Sequence, residues 1–136
     1  MTGSLRLLSY VVLVLGFHAC ASGQAEQHTG EARKHIKQAM EAPVDTRERR
    51  DQQSRVLADN VEPARLETID MRKLRELFGP GMPCTNEVCQ DQGFSPDDWF
   101  YEIGMREGKE VKQLPLLLVG FDPHGQIKRV FTYTTH

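Results

Sequence analysis

Between Met71 and Phe78 the apolar side chains return at helical spacing: Met71, Leu74, Leu77 and Phe78 share one face. Asp70 stands where an N-cap belongs, Gly79 supplies a C′ position and Pro80 prevents continuation, so this stretch predicts a short helix with defined ends. A further helical turn through Ala64 to Thr68 is expected to precede it. From residue 99 the period shortens to two. "WFYEIGM" sets Trp99, Tyr101 and Ile103 on one side, "REGKE" offers a turn through Gly108, and "LPLLLVGF" has the unbroken apolar character of a buried strand. "DPHG" reads as a turn with Pro at its second position and Gly at its fourth. In the closing strand Ile127, Arg129, Phe131 and Tyr133 alternate with Lys128, Val130 and Thr132. Pro115, which has no N–H for a ladder, belongs at the edge or start of its strand. The fold class expected is α+β: one or two short helices packed on a three-stranded antiparallel β-meander, over residues 64–136.

Upstream the pattern weakens. Residues 20–63 are dominated by charged and amide side chains, with no aromatic, and bury too little apolar surface to offset their ordering entropy. "EARKHIKQAMEA" does place Ala32, Ile36, Ala39 and Met40 at helical spacing before Pro43, and "TRERRDQQSRVLADN" could form a second helix. Helices this short and polar are marginal alone in water. The segment is therefore expected to be a polar tether with possible short helices. Ahead of it, Arg6 followed by the apolar run Leu7 to Phe17 reads as a signal peptide over 1–19, too short to span a hydrocarbon core.

Charge narrows the partners. With 17 basic and 19 acidic side chains the chain carries a formal −2, and no basic stripe interleaved with aromatics points to nucleic acid. The three cysteines fit export. Cys84 and Cys89 are expected to form a structural disulfide, since close thiols pair in an oxidising compartment. Closing so small a loop stabilises by only ~2 kcal/mol in the chain-entropy model, so its main effect is on loop shape. A redox pair would favour Cys-x-x-Cys at a helix start, and zinc would need more ligands than His124 supplies. Cys20 has two fates: a lipid anchor, with Ala19 before it, or removal by cleavage after Ala21, where "ACA" satisfies the ordinary leader rule.

Catalytic signals are sparse. The histidines at 28, 35, 124 and 136 fall in polar stretches, a turn and the terminus, and G-x-S-x-G, H-E-x-x-H and P-loop patterns do not occur. Asp97 and Asp98 are adjacent at a strand entrance and so point apart, an arrangement that suits a solvated loop better than acid–base chemistry. No enzyme activity, cofactor or metal is expected. Trp99, Phe100 and Tyr101 are the candidate partner-binding residues: one sheet face covers the helix, and Phe100 on the other either meets a partner or lies under the tether.

The order of parts resembles the BamE family, also called SmpA/OmlA, of small outer-membrane lipoproteins. The likeness rests on Leu77, Phe78, Gly79 and Pro80 at the helix end, Trp99 and Tyr101 in the next strand, and Phe121 and Gly125 near the last turn, and covers about half the chain. It implies two helices packed on a three-stranded antiparallel sheet, and a non-catalytic role in scaffolding outer-membrane protein assembly. Its partners would be envelope or outer-membrane proteins and, through an acylated Cys20, the lipid bilayer on the periplasmic side of the outer membrane. The other readings are a soluble periplasmic or secreted inhibitor, and a thiol redox protein using Cys84 and Cys89.

Overall fold

A computed structural model describes the backbone of residues 4–134 and the side chains of residues 23–134. Cys20 and the expected leader lie outside the residues whose side chains are described. Helix α1 (Ser4–Glu41) leads through a two-residue strand, β1 (Pro43–Val44), into α2 (Arg47–Ala64). A 3-10 turn (Leu66–Thr68) joins it to α3 (Met71–Phe78). Then come β2 (Met82–Pro83), the short helix α4 (Glu87–Asp91), β3 (Trp99–Glu102), β4 (Met105–Arg106), β5 (Leu116–Phe121) and β6 (Ile127–Tyr133).

Helix α3 ends where its sequence demands. Asp70 accepts a hydrogen bond from Lys73 N at 2.8 Å, and Gly79, at φ 81°, donates to the Arg75 carbonyl at 2.8 Å. Leu74 is fully buried, and Met71 and Phe78 pack against the same core.

The α+β class holds, but the three-stranded meander is corrected in two ways. The sheet has four antiparallel strands in the order β2-β3-β5-β6, because Met82 and Pro83 pair with Phe100 and Trp99. In addition β3 and β5 are not joined by a tight hairpin. The chain leaves the sheet after Ile103, and Met105 and Arg106 pair in parallel with Pro43 and Val44. Gly104 permits this departure: its φ of 133° disfavours any side chain, and a Cβ there would lie 2.5 Å from the Val44 side chain. Val44, Val111 and Leu114 then form a small separate cluster beneath the excursion.

The expected tether is also corrected. Residues 32–64 belong to the folded unit: Ala32, Ile36 and Ala39 of α1 and Leu57 of α2 are buried in the same core as Leu117, Val119 and Ile127 of the sheet. The two helices need few large side chains because alanines let them approach closely, and their polar residues serve the backbone. Gln53 of α2 donates to the Ala39 carbonyl in the last turn of α1 at 2.6 Å. Arg33 of α1 donates to the Ala64 carbonyl at the end of α2 at 2.8 Å. Each helix thus satisfies a C-terminal carbonyl of the other, groups that an isolated helix leaves without a partner. Burial lowers the Arg33 pKa, and Glu67 opposes that shift.

Candidate functional site

Both faces of the sheet are covered, and this decides the fate of the aromatic run. Trp99, Tyr101 and Ile103 face the helices, while Phe100 points the other way with Leu116 and Leu118. That second face is capped by Cys84, Cys89 and Phe94, with Val88, Phe131 and Tyr133 packed at its margin. Phe100 and Tyr101 are buried and Trp99 is half-buried, so the three do not form an exposed partner-binding patch. The cover over Phe100 is the disulfide loop and not the tether.

Cys84 and Cys89 are joined by a disulfide that closes the loop carrying α4. Asn86 caps that helix by accepting from Cys89 N at 2.8 Å, and both cysteines are at most 1% exposed. Thiol exchange requires an accessible sulfur, so this setting suits a staple. The double variant Cys84→Ser/Cys89→Ser should lose about 2 kcal/mol of stability. It should also bind a hydrophobic dye more strongly, as the lid over Phe100 and Leu118 loosens; urea melts and dye fluorescence are the measurements.

Asp98 organises the entrance to β3. It is 7% exposed and one carboxylate oxygen accepts from Phe121 N at 3.0 Å, tying β3 to the end of β5. The other accepts from Ser95 N at 2.9 Å and lies 3.4 Å from Ser95 Oγ. The role is structural, and the clue in the sequence was "SPDD": an acid three residues after a serine closes a turn onto the serine's own N–H.

On the opposite side Tyr101 donates its hydroxyl to the Gly79 carbonyl at 2.8 Å, while Phe78 packs edge-on against its ring and Arg75 lies over Trp99. Burial pushes the Tyr101 phenol above its ordinary value of 10.0, with Arg75 acting weakly against this. The folded state therefore holds this proton to higher pH than the unfolded chain. Its contribution is full below pH 10 and falls as pH rises beyond. Tyr101→Phe should cost about 1 kcal/mol at neutral pH and flatten the alkaline limb of the stability profile.

Shallow grooves stay open on the surface. A groove of about 270 Å³ runs between α2 and the end of β6, lined by Asp51, Ser54, Arg55, Ala58 and Thr134. The Ser54 hydroxyl is buried beside it without a hydrogen-bond partner among the described residues. A second cleft, of about 340 Å³, lies where Arg33 and Arg65 meet Glu26 and Thr29 of α1. Among the described residues no group of three or more His, Cys, Asp or Glu side chains is gathered as a metal site.

Compared with family models, characterised proteins and solved structures, the chain has no significant match.

Proposed function

We propose that this chain is an exported, lipid-anchored envelope protein that works by binding, as a non-catalytic scaffolding module. The observation that carries the reading is the course of α1. Its residues 32–40 dock on the core, whereas in residues 23–31 every side chain but the half-buried Thr29 is exposed, and the helix backbone continues toward Cys20. This mostly exposed stretch contributes no residue to the core, and it sits where a spacer between an acylated cysteine and a folded domain would sit. No helix among the described residues is long and apolar enough to cross a membrane. As the BamE-like order of parts implies, the finer role is accessory to outer-membrane protein assembly.

Mass analysis of the mature N-terminus tests the anchor. The expected product begins at Cys20 and carries a diacylglyceryl group and a further acyl chain, and it sediments with membranes. A mature chain that begins after Ala21 and stays in the soluble fraction would overturn the reading. Crosslinking in intact cells tests the finer role, with recovery of an outer-membrane assembly component expected from the anchored form.

A further inference from the structure

The two edges of the sheet are treated very differently. At one edge β2 is two residues long and carries Pro83, which blunts it. At the other, β6 is a seven-residue edge strand whose start is occupied: Ile127 N bonds to the Ile69 carbonyl, and Asp70 bridges Gln126. Beyond Ile127, no backbone group of β6 bonds to any segment but β5 among the described residues. A strand's outward N–H and C=O groups then form a free row. Residues 130–134, Val-Phe-Thr-Tyr-Thr, carry no charge and are strong strand formers, so they lack the usual protection of an open edge.

We propose that this free edge of β6 receives an extended polypeptide segment of another protein, added as a fifth strand with acidic residues near one end. The groove between α2 and Thr134 lies at the end of the same strand and would take a side chain from the incoming segment. The buried Ser54 hydroxyl supplies a polar group still without a partner. Charge selects the occupant. Arg55, beside Thr134, is exposed and in no ion pair among the described residues, so acids at that end of the strand would meet it, whereas Asp51 is already paired with Arg50 at 3.2 Å. A second copy would bring another cationic edge, for residues 126–136 contain no acid to meet Lys128 and Arg129. The proposal rests on the reading of this chain as a binding module, but not on its anchor.

The test uses the full chain in detergent and a short peptide of alternating valine and threonine led by two glutamates. Amide chemical shifts and hydrogen exchange should change along residues 129–134 and on α2 beside Ser54. A peptide N-methylated at one amide that faces β6 should bind about tenfold more weakly, the loss of roughly one hydrogen bond's net worth. Replacing its glutamates by lysines should weaken binding several-fold at low salt and less at high salt. On the protein, Ser54→Ala keeps the fold and should weaken the peptide. Thr132→Pro should weaken it further, with hydrogen exchange of β5 confirming that the sheet survives. Shifts elsewhere, indifference to N-methylation, or self-association of β6 without peptide would overturn the proposal. Failure here with an acylated Cys20 leaves the anchored reading standing, and a cleaved Cys20 with peptide bound does the reverse.

Discussion

Ile36→Ala should lower the unfolding free energy by about 2–5 kcal/mol, and Leu57→Ala by a similar amount, the usual cost of truncating a large side chain in a packed core. Both residues are fully buried. If the segment were a tether, either change would be nearly silent, since a solvated helix face tolerates alanine within about half a kcal/mol. Urea melts of the full chain separate the two outcomes cleanly. Gln53→Ala should add a smaller loss of about 1 kcal/mol by removing the shorter of two hydrogen bonds to the Ala39 carbonyl, which keeps only the Ala42 N–H at 3.4 Å.

Asp98→Ala should cost about 2–5 kcal/mol, because it strips acceptors from two backbone N–H groups, Phe121 and Ser95, at one stroke. Asp98→Asn keeps one acceptor oxygen and should recover roughly half of that. A larger effect on thermal stability than that of losing the disulfide is the expected order. The reverse order would mean that the staple, and not the carboxylate, holds the β3 entrance.

The sequence disclosed the parts of this fold that local chemistry determines. Asp70 and Gly79 bound α3 because capping depends on neighbours along the chain. β5 follows from its unbroken apolar run and β6 from alternation, except that an irregularity at Lys128 turns Ile127 to the helix side, away from Phe131 and Tyr133. The Cys84 to Cys89 bond needed only proximity and an oxidising setting. The α1–α2 pair was hidden for an equally physical reason. Its interface is built on Ala32 and Ala39, and its polar residues, Arg33 and Gln53, spend their hydrogen bonds on distant carbonyls that no window of sequence reveals. Phe100 misled in a related way: alternation correctly assigned it to the opposite face from Trp99 and Tyr101, but the lid that covers that face comes from the loop around α4. The open edge of β6 is likewise invisible until pairing assigns it to the end of the sheet.

The burial of Ile36 has a consequence for timing. Its core companions Leu117, Val119 and Ile127 lie roughly eighty or more residues further along, in β5 and β6, so Ile36 cannot complete its packing until those strands have been made. Contacts this far apart in sequence are slow to form, because the intervening loop must be closed before they contribute. A nascent chain would therefore remain without its native core until β6 is made. The pairing of β6 is then the event that commits the chain to its shape.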